Sequence, residues 1–242
     1  MLKPDYIELA DGLKIPFLYE DRSVLAIDKP RGWMLVPFSW QKTNWNLQAA
    51  LVSSIAARDF WARSRNLKFL RFVHRLDAET TGILLLAKSP GAVRTYSALF
   101  ESRKMEKVYL AVVHGVPKQK EWICRLKLGS DPRQRGKVKM DLRHGKAAET
   151  TFRVMQSLEK TALVEAHPFT GRTHQIRVHL AETGHPVVGD EFYGPQPVKK
   201  GINLGLRAIR LAYHDPFTRR RVEIRAPFEK FVREHGFDAK QL

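Results

Sequence analysis

An aspartate on a tight turn directly behind an apolar strand is rigidly held yet faces open space. In that setting a carboxylate can serve as nucleophile or general base. Val73-His74-Arg75-Leu76-Asp77-Ala78-Glu79-Thr80-Thr81-Gly82 offers such a place: Asp77 follows the apolar stretch Phe69–His74, and the turn ends in Gly82. An aspartate in a turn between strands also accepts local backbone N–H groups, so both readings stand on position alone. A second cluster, residues 167–180 (HPFTGRTHQIRVHL), sets Arg172, Arg177 and three histidines around a glycine-containing turn and the first turns of a helix. Helix-start amides attract phosphate, and arginine gives a planar fork for phosphate or carboxylate. His174 and Arg177, three apart, share a helix face. His174 and His179 are five apart, about 140° around a helix, so they do not form an i, i+4 metal pair and no metal is expected. The plainer reading of this cluster is a solvated basic helix face. A third segment, Lys107-Val-Tyr-Leu-Ala-Val-Val-His-Gly, alternates Tyr109 with Val108 and Leu110 on a strand. Tyr109 is there either as a core aromatic or as a platform for a base.

Positioning these groups needs a scaffold, and the chain is long enough for one: 242 residues can bury roughly 70–75% of their unfolded surface. From Phe17 the sequence is strand-like, and Ser23-Val-Leu-Ala-Ile-Asp-Lys-Pro is an apolar run stopped by Pro30 and Gly32. Asn44 or Asn46 can cap a helix reaching about Arg65. Strands are expected over Phe69–His74, Gly82–Ala87, Lys107–His114, Thr150–Ser157, Thr161–Ala166, Arg207–His214 and Arg221–Arg225. Helices are expected from Ser89-Pro90 to about Arg103, from about Arg172 to Thr183, and over Phe228–His235. Strands outnumber helices and hairpins mix with helical connections, which gives an α+β sheet domain rather than a doubly wound parallel one. Residues 1–16 read as a lead-in and residues 17–242 as a single domain.

Charge names the partner. The chain carries 42 Lys+Arg against 25 Asp+Glu, a net charge of +17. Such an excess repels itself and points to a polyanion, nucleic acid before an anionic membrane. Residues 129–146 read as a basic loop, with Arg133, Arg135, Lys137, Lys139, Arg143 and Lys146 against Asp131 and Asp141. It is either solvated or an RNA contact. The single cysteine, Cys124, excludes a disulfide framework and a thiolate metal cluster and is expected as an ordinary buried thiol. The longest apolar run, about Ile83–Ala87, is far short of the ~20 residues of a membrane span. The acidic residues near the N-terminus do not suit a signal peptide. A soluble cytoplasmic protein is expected.

Taken together, His-Arg-Leu-Asp-x-x-Thr-x-Gly, Lys-x-Tyr-x-Ala-x-Val-x-Gly and Gly-Arg-Thr-His-Gln-Ile-Arg-Val-His-Leu, in this order, resemble the RluA-type RNA pseudouridine synthases. Four further blocks continue the likeness over roughly residues 20–227: Ile27-Asp-Lys-Pro-Arg-Gly, Gly145-Lys-Ala-Ala-Glu-Thr, Gly184-His-Pro-Val-Val-Gly-Asp-x-x-Tyr-Gly and Leu211-Ala-Tyr-His-Asp-Pro-Phe-Thr. The resemblance implies a mixed, mostly antiparallel sheet with flanking helices and a central catalytic cleft. It implies isomerisation of uridine in ribosomal or transfer RNA without metal or organic cofactor. Asp77 falls on the essential aspartate, Tyr109 on the active-site tyrosine, and Arg177 on the arginine that pairs with the aspartate. Arg75 falls on a residue that helps displace the target base. Arg172, His174 and the basic residues Arg133, Arg135, Lys137 and Lys139 are then candidates for RNA contact.

Two departures stand out. Thr80-Thr81-Gly82 replaces the more usual Thr-Ser-Gly, and Leu206-Arg207-Ala208 replaces Leu-His-Ala. The small RNA-binding domain that precedes the core in many relatives is not expected before residue 17. No protein partner is legible, and a monomer is expected. Two other functions compete: a basic RNA-binding or assembly protein on the same fold without catalysis, and a nucleoside-cleaving hydrolase. A hydrolase usually needs a second carboxylate, and Glu79 reads as a solvent-facing turn residue.

Overall fold

The computed structural model describes residues 3–35, 45–198 and 201–242. The architecture is α+β, with mainly antiparallel strands and five α-helices among the described residues. The chain divides into two compact units, Met1–Met105 with Leu211–Ala226, and Glu106–Arg210 with Pro227–Leu242. No helix among the described residues is long and apolar enough to cross a membrane.

The first unit holds strands β1 (Tyr6–Glu8), β2 (Lys14–Glu20), β3 (Val24–Lys29), β4 (Arg71–Phe72) and β5 (Thr81–Ala87), with helices α1 (Leu47–Ala56), α2 (Phe60–Arg63) and α3 (Pro90–Glu101). Its sheet runs β1-β2-β3-β5, and β4 also pairs with β5. Val24–Ile27 and Ile83–Ala87 are almost entirely buried. These continuous apolar runs do not alternate because both faces of the strands are covered, and α3 packs on β5. Each fully buried aliphatic side chain there contributes roughly 1.5–3 kcal/mol. Ser89 caps α3 as expected, accepting from the Ala92 N–H at 3.1 Å, with Pro90 at the first position. Asn46 caps α1, while Asn44 lies outside the described residues.

The second unit holds β6 (Glu106–His114), β7 (Glu121–Ser130), β8 (Val138–Met140), β9 (Lys146–Ser157), β10 (Thr161–Pro168), α4 (Gln175–Glu182) and α5 (Glu229–Glu234), ordered β6-β10-β9-β7-β8 in its sheet. Strand β11 (Leu206–His214) contributes residues 206–210 here and 211–214 to the first unit, where β12 (Arg221–Arg225) pairs with it. Strand β6 shows the two-residue period cleanly. Ala111 and Val113 join a core with Phe152, Val164 and the α4 residues Ile176 and Leu180. Leu110 and Val112 join another with Leu163 and the α5 residue Val232.

Four expectations are corrected. The helix over 47–65 is two helices. Arg58 takes a left-handed conformation (φ 58°), and Ser54 bonds both the Asp59 carboxylate and the Trp61 indole across the break. The helix expected from Arg172 starts at Gln175, because His174 is left-handed (φ 54°). The basic stretch 129–146 is not all loop: Val138–Met140 pairs with Leu128–Ser130 in a hairpin. The lead-in 1–16 contains β1 and the start of β2, paired with each other. Arg207, where the family pattern has histidine, is buried and donates from Nε and Nη2 to the Pro227 carbonyl at 2.9 and 2.7 Å. It ties β11 to the segment leading into α5.

Candidate active site

The Asp77 turn is built from its backbone. The Thr80 N–H donates to the Asp77 carbonyl at 3.2 Å, and the Gly32 N–H donates to the Ala78 carbonyl at 2.9 Å. Lys29, at the end of β3 and fully buried, aims its ammonium into the turn. Nζ donates to the carbonyls of Ala78 (2.7 Å), Thr80 (3.0 Å) and Pro30 (2.9 Å). Three N–H donors meet three acceptors, so the whole ammonium is used. On the preceding side, the Leu85 N–H donates to His74 Nε2 at 3.0 Å, and the His74 ring stacks on Phe100 with centroids 4.4 Å apart. Asp77 is half-buried, and Arg75 and Glu79 are exposed. Glu79 meets Arg31 at 3.6 Å, a surface pair worth little.

Burial pushes the Lys29 pKa down to about 7, against the upward pull of Glu79 and Asp77. A lysine with a lowered folded-state pKa binds fewer protons folded than unfolded between about pH 7 and the usual 10.5, so stability rises with pH across that window. Replacing Lys29 by Met strands three carbonyls and should cost about 2–4 kcal/mol. In urea unfolding, the gap between wild type and Lys29→Met should widen from pH 6.5 to pH 9. A gap that ignores pH would contradict the lowered pKa.

In the second unit the centre is Arg177 on α4. Its Nε donates to Asp190 Oδ2 at 2.7 Å and its Nη2 to Oδ1 at 2.8 Å, with both side chains buried. This is the bidentate fork that arginine and carboxylate make best. Asp190 Oδ1 also accepts the N–H groups of Phe192 (2.9 Å) and Tyr193 (3.1 Å), so it shapes the turn that carries both rings. The guanidinium lies 5.6 Å from the Phe192 ring centroid and 5.3 Å from that of Tyr193. His174 Nδ1 is 2.9 Å from the Tyr193 hydroxyl, and its ring stacks on Phe192. Val138 donates its N–H to the same hydroxyl at 2.9 Å, and Lys137 Nζ lies 5.7 Å from the Tyr193 ring. Tyr193 thus joins the basic hairpin to the start of α4.

Gln175 fixes the turn before α4. Its Oε1 accepts from Thr170 Oγ1 (2.6 Å) and the Arg172 N–H (3.0 Å), and its Nε2 donates to the Glu149 carbonyl and Thr150 Oγ1. Arg172 Nε donates to the Ala147 carbonyl at 3.2 Å. Tyr109 stands on β6 opposite Ala166, half-buried against the Phe152 core. Two residues away, Lys107 donates to the Thr170 carbonyl at 3.0 Å, and burial lowers its pKa to about 8. His179 is fully buried, and burial lowers its pKa to about 4; it is a core residue.

Asp77 and Arg75 therefore lie in the first unit, and Tyr109, Arg172, His174 and Arg177 in the second. The second unit brings Arg177, His174 and Lys137 onto the Phe192-Tyr193 turn, and leaves Arg133, Arg135 and Lys139 exposed along the hairpin. Sequence reasoning missed Asp190, Lys29, Gln175 and Tyr193 as positioning groups. All four lie within the sequence blocks that carry the family likeness, and Lys29 also stands out as a lysine at the end of an apolar strand, just before Pro30.

Residues 23–182 match the family described as RNA pseudouridylate synthase. Ribosomal large subunit pseudouridine synthase C of Vibrio vulnificus (strain CMCP6) is 35% identical over 219 residues, 87% of this chain and 64% of that protein. The dual-specificity RNA pseudouridine synthase RluA of Vibrio cholerae is 34% identical over 203 residues, 84% of this chain and 78% of that one. The solved structure of human RNA pseudouridylate synthase domain containing 1 superposes with a TM-score of 0.71 at 26% identity, covering 89% of this chain and 84% of that one. The chain spans 64% of the length of the first of these relatives. With the family match covering most of the chain and the fold agreeing, the chain belongs to the RNA pseudouridylate synthase family.

Proposed function

We propose that the chain isomerises uridines in structured ribosomal or transfer RNA to pseudouridine, with Asp77, Tyr109 and Arg177 as its catalytic residues. In this reaction the bond from ribose C1′ to N1 breaks, the uracil turns, and a bond from C1′ to C5 forms. C5 gives up a proton and N1 gains one, so no redox partner is required. A carboxylate serves by attacking C1′ or by taking the 2′ proton, and must be ionised for either. The observation that carries the reading is the Asp77 turn, held by two bonds from a buried lysine to its Ala78 and Thr80 carbonyls, in a chain of this family. Arg75 is assigned to displacing the base, since a uridine inside folded RNA must leave its stack to react. Arg172, His174 and the hairpin cations Arg133, Arg135, Lys137 and Lys139 are assigned to RNA contact.

The relatives' names make ribosomal RNA the first substrate to test. A monomer working in the cytoplasm fits this reading, with Cys124 a buried free thiol whose pKa burial raises to about 11. The experiment is to incubate the protein with total RNA from a strain lacking its gene and map pseudouridine chemically. New pseudouridine at defined sites supports the reading. Free uracil among the products would mark a hydrolase, and no change in the RNA would leave a binding protein.

Tyr109→Phe separates the ring from its hydroxyl. The ring keeps its stacking face, so RNA affinity should stay near wild type. Loss of a group engaged in proton transfer should lower turnover by roughly 10²-fold. Single-turnover kinetics checks this, and equal rates would remove the hydroxyl from the chemistry.

A further inference from the structure

The first unit has a cleft of about 750 Å³ near the Ala87 end of β5, outside every residue assigned above. Five cationic side chains line it: Lys3, Arg22, Arg65, Lys68 and Lys88. Its two acids are committed to the wall. Glu20 accepts from Arg65 Nε at 2.8 Å and Lys88 Nζ at 2.7 Å, and these bonds hold its pKa below the usual range despite burial. Asp21 accepts the N–H groups of Ser23 and Val24, both at 2.7 Å, and the Tyr19 hydroxyl at 3.0 Å. The wall is rigid. Arg65 also donates to the carbonyls of Trp61 and Pro4, and its guanidinium sits 4.1 Å from the Phe17 ring centroid. Lys3, Arg22 and Lys68 are exposed and make no ion pair among the described residues.

We infer that this cleft binds phosphodiester groups of the substrate RNA away from the target nucleotide. Five cations against two carboxylates leave a net excess of three, and Lys3, Arg22 and Lys68 are the cations not spent on Glu20; in a concave wall this suits closely spaced phosphates. The half-buried ring of Phe69 at the rim offers a face to a neighbouring base. Position sets its place on the RNA. The Asp77 turn leads into the Thr81 end of β5, and Lys88 follows its other end. Six strand steps of about 3.3 Å separate Thr81 from Ala87, about 20 Å. That is about six base-pair steps at 3.4 Å each. The cleft therefore engages a flanking segment and supplies affinity and orientation rather than sequence reading. The inference rests on RNA being the substrate.

The test uses the double variant Arg22→Gln/Lys68→Gln, two exposed positions where thermal melting should be unchanged. RNA affinity is measured against salt on two RNAs with the same target uridine: a long structured fragment, and a stem-loop with fewer than six base pairs flanking the target. On the long RNA the variant should bind roughly tenfold more weakly. Its salt slope should be shallower by about 1.4–1.8, the loss of two phosphate contacts. On the short RNA the two proteins should bind alike, and turnover at saturating RNA should match on both. An unchanged salt slope on the long RNA would overturn the inference, as would an equal loss on both RNAs. Cleft-dependent binding without pseudouridine formation by the wild type would instead remove the catalytic reading and leave this one standing.

Discussion

Pseudouridine formation should fall below detection in Asp77→Asn, while RNA affinity stays within about tenfold of wild type, since phosphate contacts supply most of the binding. The amide is nearly isosteric but carries no charge, so it can neither attack C1′ nor take the 2′ proton. The turn should survive the change. The bonds from Lys29, Gly32 and Thr80 that shape it all end on backbone carbonyls, at Pro30, Ala78, Thr80 and Asp77 itself. Thermal stability should therefore change little, apart from Lys29 losing the attraction of one carboxylate. The measurement is a time course on RNA lacking the modification, with binding followed in parallel. Pseudouridine made by the Asn variant at the wild-type rate would overturn the assignment of Asp77. Pseudouridine made by the wild type, with a folded Asn variant that binds RNA but makes none, would exclude the purely RNA-binding reading.

What the sequence disclosed, and what it hid, follows from the range over which each interaction acts. Local signals were legible. Pro30 and Gly32 end β3, Ser89 and Pro90 start α3, and Gly82 closes the Asp77 turn. Strand β7 was not among the expected strands although Trp122, Cys124, Leu126 and Leu128 alternate at the strand period, because Ile123, Arg125 and Lys127 between them mix apolar and charged residues on the other face. The break at Arg58 was hidden because it depends on a left-handed residue and on Ser54 and Asp59 meeting across it, not on a glycine or proline. The supports of the site were hidden for a different reason. Lys29 acts on residues about fifty positions away, and its burial contradicts the usual exposure of lysine. Asp190 meets Arg177 only because the chain returns through the Val187–Tyr193 turn, and no periodicity encodes that meeting.

Asp190 gives the second large effect. Replacing it by Ala removes the buried carboxylate that receives the Arg177 fork and the acceptor of the Phe192 and Tyr193 N–H groups. Breaking a buried pair from one side costs roughly 3–5 kcal/mol, enough to threaten folding of the whole unit. Asp190→Asn is the sharper probe. Its oxygen still accepts the two backbone N–H groups, but the amide cannot receive both N–H donors of the fork. Stability should drop by about 2–3 kcal/mol, within the range for hydrogen bonds to charged groups. Turnover should fall more than RNA affinity, because the guanidinium loses its fixed orientation. A double-mutant cycle with Arg177→Met isolates the cause. If Asp190 acts through Arg177, the paired variant should turn over no worse than Arg177→Met alone. Strictly additive losses in turnover would show that Asp190 works independently of Arg177, through the Phe192-Tyr193 turn.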